Sequence, residues 1–319
     1  MNGRAYSALW LWDNNALTPA RHCLEACLIT AWNTLLFYCG AIAIGSYAGG
    51  MLPRLITMTH TRTQLAMSAV SGLMLGVAFY HLLPHALTEF GEGYGIDDVV
   101  WWLMIGLVSM LLLLRLFHFH QHDFTPAADH SHCDHDHHSH HHDHDVTTPT
   151  AVKVHPMSWL SIAFGLSVHT IIDGVALGAV VLAEGASSTH VAWVGLGVFV
   201  AILLHKPLDA VSIATLARAA GLSMNGQRTV NLIFALMCPL GALLFYFGFQ
   251  SLDGMAPGLL GATLSFAAGA FVCIALSDLI PEVHFHSHDR LKLSFTFLLG
   301  IAVAYAIAFI EPASLHAMH

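Results

Sequence analysis

Apolar stretches of about 20 residues follow one another along the chain, separated by short polar breaks. Eight can be placed, near 28–50, 64–87, 98–118, 157–182, 190–217, 228–250, 257–281 and 292–311. At a rise of about 1.5 Å per residue, such a stretch crosses the roughly 30 Å of a bilayer's hydrocarbon core. Backbone polar groups left unpaired in lipid are expensive, so each span must be helical and open sheet is excluded. The pattern predicts an all-α, polytopic membrane protein with eight transmembrane helices. Composition agrees, since 56% of residues are hydrophobic and 10% charged, where a soluble domain carries about a quarter charged residues. With 11 Lys+Arg against 20 Asp+Glu, no basic surface can form for phosphates, and nucleic-acid binding is excluded.

Basic residues set the orientation. If the N-terminus is outside, Arg54, Arg62, Arg115, Lys153, Arg218, Arg228, Arg290 and Lys292 fall on the inside, and only Arg4 and Arg21 fall outside. Basic loops stay cytoplasmic, so both termini are expected to be extracytoplasmic and the protein multi-pass in a plasma or bacterial inner membrane. The first 26 residues carry no basic region, apolar run and small-residue cleavage site in sequence, so the first span is expected to direct insertion. The chain then divides into an outer segment (1–27), spans one to three (28–118), a cytoplasmic loop (119–156), spans four and five (157–217), and spans six to eight with a short tail (218–319).

That loop changes the picture. Of the 25 histidines in the chain, twelve lie between His118 and His144, with six Asp interleaved up to Asp145. It has almost nothing apolar to bury and is expected to be disordered without a ligand. His130, His132, His135, His137, His138, His140, His141, His142 and His144 suit weak, multivalent capture of divalent metal. The bland alternative is a solvated linker. The six cysteines show no CxxC spacing; Cys23 and Cys27 are near enough to pair, but no disulfide framework follows. Cys238 reads as a small buried hydrophobe, and Met67, Met74 and Met237 as packing.

Two spans carry ionisable residues at depth. Span four contains His169 and Asp173, and span five His205 and Asp209. Each pair is His-x-x-x-Asp, which puts imidazole and carboxylate one turn apart on one helix face. A carboxylate at mid-bilayer costs about 2.5–3.5 kcal/mol on insertion scales, so two such pairs need a reason. Two neutral imidazoles and two carboxylates make a neutral site with a divalent cation, acceptable to Zn2+, Fe2+, Mn2+ or Cd2+. The competing reading is helix-to-helix hydrogen bonding, or an ion pair with Lys206. Span two ends in Tyr80-His81-Leu82-Leu83-Pro84-His85 and span seven in Ser277-Asp278-Leu279-Ile280-Pro281-Glu282. These align without a gap and end on opposite sides, the mark of an inverted repeat. Asp278, Glu282, His284, His286 and His288 read as an exit relay towards the loop, with a solvated helix end as the rival. His81, His85 and His190 are expected near the outer face, where they would collect incoming ions.

The sequences HTIIDGVALGAVV (169–181), HKPLDA (205–210) and FAAGAFVCIALSDLIPE (266–282) resemble the signatures of spans four, five and seven of the ZIP (Zrt/Irt-like) divalent-metal transporters. The resemblance covers about 28–311 and implies uptake of Zn2+ or a related ion into the cytoplasm by alternating access. It implies a 3+2+3 inverted-repeat bundle in which spans one, four, five and six move against spans two, three, seven and eight. It also implies a primary metal site at His169, Asp173, His205 and Asp209. Many members bind a second metal through residues that here are Thr170, Lys206 and Cys238. That site is therefore expected to be absent, with the Lys206 ammonium as its charge substitute. Asp209 stands where Glu is commoner, and Pro207 falls one place earlier than usual. Zn2+ is expected as transported substrate, with no organic cofactor; the partners are divalent metal ions and lipid, a homodimer being an open alternative. The rivals are an intramembrane zinc-dependent hydrolase, although no HExxH-type motif is present, and a metal exporter or sensor using the same ligands.

Overall fold

The computed structural model describes residues 19–55, 60–91, 93–117, 158–187, 193–251, 258–285 and 290–309. All eight expected spans are helices. They are α1 (Pro19–Leu55), α2, α3 (Ile96–Phe117), α4 (Ser158–Ser187), α5 (Leu196–Ala219), α6 (Met224–Ser251), α7 (Leu259–Phe285) and α8 (Arg290–Ala308). α2 runs through His60–Val77, a π-helical turn at Ala78–Leu82, and Leu83–Glu89. The wide turn was not foreseen from the sequence; it lies directly before Pro84, whose missing N–H cannot serve the carbonyl one turn back.

Two boundaries differ from the sequence expectation. α1 begins at Pro19, well before the apolar stretch does. α5 begins at Leu196 and not near 190, because Trp193 (φ 81°) and Gly195 (φ 68°) adopt the left-handed conformation, which ends helical continuity. Gly195 has a second constraint: a Cβ there would press on Val180 and Val181 of α4.

Between lipid-facing helices burial of apolar surface drives little association, so close approach of backbones matters more. Glycines mark the four tightest helix pairs, α2 with α8, α3 with α7, α4 with α6 and α1 with α5. A Cβ on Gly72 would strike the Phe297 backbone, and one on Gly300 the Ala69 backbone. Gly106 and Gly269 bring α3 and α7 together in the same way, against Phe266 and Leu103. Gly174 meets the Cys238 carbonyl, Gly241 meets Ile171, and Gly49 meets Pro207. Exchanging α1 with α6, α2 with α7, α3 with α8 and α4 with α5 maps this set of pairs onto itself. The packing thus carries the two-fold pattern that the repeated hexapeptide suggested.

Among the described residues the core is a large apolar cluster drawn from α1 to α8, with a smaller one of Ala210, Ile213 and Phe234 between α5 and α6, and α7 is the most enclosed helix. α4 is almost continuously buried from Asp173 to Gly185, yet largely half-buried or exposed from Trp159 to Val168. α4 is therefore enclosed by protein on one side of its middle and less so on the other.

Candidate metal centre

α4 and α5 lie side by side, and their His-x-x-x-Asp faces meet. His169 Nε2 is 3.4 Å from Asp173 Oδ2 on its own helix and 3.4 Å from Asp209 Oδ2 on the other. His205 Nε2 is 3.3 Å from Asp173 Oδ2 and 3.9 Å from Asp209 Oδ2. One donor atom from each of the four residues lies within 4.8 Å of every other. His169, Asp173 and His205 are buried, while the Asp209 side chain keeps 19% of its surface exposed.

These separations have a chemical meaning. Around a tetrahedral ion with bonds of roughly 2.0–2.1 Å, neighbouring donors stand about 3.3 Å apart. Three of the four nitrogen–oxygen separations fall within 0.1 Å of that edge. Tautomer supports the same reading. His205 Nδ1 is 2.7 Å from the Ala201 carbonyl, which only accepts, so Nδ1 carries a proton. In the neutral ring, Nε2 then turns a lone pair towards carboxylate oxygen. Lone pair against anion is unfavourable unless a cation, metal or proton, lies between them. The other nitrogen of His169, Nδ1, and Asp173 Oδ1 are buried without a hydrogen-bond partner among the described residues.

Lys206 is fully buried and joins the same two oxygens, with Nζ 2.5 Å from Asp173 Oδ2 and 2.9 Å from Asp209 Oδ2. It also donates to Thr170 Oγ1 at 3.2 Å, whose hydroxyl in turn donates to the Leu166 carbonyl. Thr170 and Lys206 are thus adjacent, as the family comparison of positions implied, and Cys238 is buried on α6 opposite Gly174. With a charged ammonium the metal-free set carries a net charge of −1. A divalent ion reverses it to +1.

The remaining sequence candidates lie elsewhere. His81 Nε2 donates to the Ala304 carbonyl at 2.9 Å, and its ring fills the space beside Gly197, so it ties α2 to α8 and α5. His85 Nε2 is 3.0 Å from Glu184 Oε1 in a buried imidazole–carboxylate contact between α2 and α4. Glu184 escaped the sequence reading because the apolar window closed at 182. Its signal was that of an ionisable residue at the end of a span. Asp278, Glu282 and His284 lie on the last turns of α7. His190, His286, His288 and the loop histidines from His130 to His144 lie outside the described residues.

Among the described residues, eight membrane-length helices around a buried group of two imidazoles and two carboxylates, which could hold a metal ion, mark a multi-pass membrane protein. The chain belongs to the ZIP zinc transporter family, whose model matches residues 33–308. It is 29% identical over 289 residues to the zinc transporter ZIP9-B of Xenopus laevis, covering 78% of this chain and 86% of that protein. It is 38% identical over 132 residues to the zinc transporter ZIP9 of Macaca fascicularis, covering 39% and 54%. It is 26% identical over 161 residues to the zinc transporter ZIP3 of Homo sapiens, covering 50% and 48%. These are transporters and not enzymes, which sets the hydrolase reading aside.

Proposed function

We propose that this protein carries Zn2+, or a divalent ion of similar chemistry, into the cytoplasm by alternating access, one ion at a time. The observation that carries this reading is the set of imidazole–carboxylate separations at the edge length of a tetrahedral zinc shell. The substrate assignment draws on the relatives, which are named zinc transporters. His169, Asp173, His205 and Asp209 hold the ion, and Lys206 takes the place and charge of a second cation.

Each residue has a distinct task. The Ala201 carbonyl fixes the His205 ring so that Nε2 faces the ion. Asp173, with no exposed surface, anchors the site, while Asp209 faces the more open half and is the ligand nearest to water on release. The Lys206 ammonium keeps two buried carboxylates paired when no ion is present, so the empty carrier can return without a large desolvation penalty. The family resemblance supports the inward direction, and the basic-residue orientation puts the His-rich loop on the receiving side. In that orientation the open half of α4 faces the cytoplasm. Asp278, Glu282, His284 and His286 would pass the released ion on, and the His-rich loop would catch it. His81, His85 and His190 remain candidates for the outer mouth.

The test is flux of radioactive zinc in sealed vesicles of known orientation. Uptake towards the side of the His-rich loop, saturable and lost in His169→Ala, is the expected result. Flux in the opposite direction would make the protein an exporter, and undiminished flux in His169→Ala would remove the site.

A further inference from the structure

We propose that His85 and Glu184 form the outer closure of the translocation path, touching while the metal cage is shut off from that side and parting when it opens there. The pair deepens the alternating-access reading above and rests on it. His85 belongs to α2 and Glu184 to α4, and both side chains are at least nine-tenths buried. The two carboxylate oxygens are divided between partners. Oε1 faces His85 Nε2 at 3.0 Å, and Oε2 accepts from the Gly195 N–H at 2.8 Å. Gly195 is the N-cap of α5, so the second contact lies wholly within the α4–α5 unit that carries the four ligands. Of these two contacts, the first crosses from that unit to α2. A displacement of the ligand helices against α2 must therefore break His85–Glu184 and can leave Glu184–Gly195 intact.

Position supports the role. One and two turns from Glu184 towards the cage, Val180 and Ala176 are completely buried. Beyond the cage, α4 loses its enclosure and Asp209 is partly exposed. The path is enclosed towards the His85 end, and the pair sits at that end. The chemistry is suited to a contact made and broken in each cycle. A buried imidazole–carboxylate contact contributes little net stability over its desolvation, yet it fixes geometry, so it holds a closed state without trapping it. Glu89, one turn beyond His85, is the other carboxylate on this end of α2, and His81, one turn before, is held by Ala304.

Right-side-out vesicles bearing Val180→Cys report the closure through labelling by a membrane-impermeant thiol reagent, with the native cysteines subtracted from the parent. Labelling is expected to be slow. Glu184→Gln keeps an acceptor for Gly195 but loses the pair, and His85→Gln loses it from the other side. Each is expected to speed labelling about tenfold, the scale of losing one buried polar contact, and the double variant no more than either single one. Unchanged labelling, multiplying effects, or an equal rise in labelling of Cys238 would overturn the proposal. Zinc uptake measured in the same vesicles separates the two readings. Loss of uptake throughout, with the labelling pattern intact, would count against the transport reading and leave the closure standing.

Discussion

Replacing Lys206 with Met tests whether the buried ammonium opposes the ion it sits beside. The two side chains are similar in length, but methionine brings no charge and no donor. In the native protein Nζ lies 2.5 and 2.9 Å from the two carboxylate oxygens that also face the histidines. Each is a charge-assisted hydrogen bond of about 1.5–3 kcal/mol. A divalent ion on the same oxygens weakens both and adds repulsion between its charge and the ammonium. At a separation of about 5 Å and an effective dielectric of about 20, that repulsion is roughly 7 kcal/mol, an upper bound because the flexible side chain can retreat. Retaining about 3 kcal/mol of the combined opposition, Lys206→Met should bind Zn2+ about a hundredfold more tightly. Turnover should fall, because a tightly held ion leaves slowly. Without zinc the variant has two uncompensated buried carboxylates, so the thermal stabilisation on adding zinc should be larger than in the parent. The assay is zinc binding to purified protein in competition with a chelator of known affinity, alongside uptake in vesicles. Equal or weaker binding by Lys206→Met would refute the reasoning and make the ammonium an organiser of the ligands.

Asp209→Ala should abolish zinc uptake while the protein remains in the membrane fraction at parental level; uptake above a tenth of parental would count against its place among the ligands. Purified protein should bind one zinc per chain with high affinity, by elemental analysis after gel filtration, and two adjacent ions in an anomalous map would contradict Lys206 as the second cation. Gly174→Ala should lower thermal stability in detergent by about 1–3 kcal/mol, because the added Cβ meets the Cys238 carbonyl; a neutral result would show that α4 and α6 separate freely. Deleting 120–145 should change the apparent affinity of uptake without abolishing it, and complete loss would make the loop part of the path.

The spans and the cage were legible in the sequence for the same reason, which is that both are periodic along one helix. Twenty apolar residues identify a crossing wherever it packs, and a four-residue spacing puts His169 with Asp173 and His205 with Asp209 before any neighbour is known. Contacts between helices carry no such period. The sequence gives no sign that Asp209 stands as near to His169 as Asp173 does, or that Lys206 reaches across to Thr170. His85 was read by depth alone as lying at an outer mouth, because its partner Glu184 lies 99 positions away at the edge of an apolar window. The late start of α5 escaped notice because Trp193 favours no left-handed turn by itself. In the fold, Gly195 packs against α4 and its N–H bonds Glu184 where the left-handed turn lies.

The glycine-tightened pairs also bear on how the protein is made. α2 closes on α8 through contacts such as Ser68 to the Leu293 carbonyl and His81 to the Ala304 carbonyl, across 225 and 223 residues of chain. α3 likewise waits for α7, and α1 for α5. α2 and α3 therefore enter the bilayer with their glycine faces towards lipid and keep them so until the last third of the chain has been synthesised. A ribosome that stalls after α6 leaves α2 and α3 without their tight partners, although the cage-bearing α4 and α5 already have theirs. Quality control in the membrane would then meet the four proposed ligands already assembled beside unfinished helices, before the molecule around them can close.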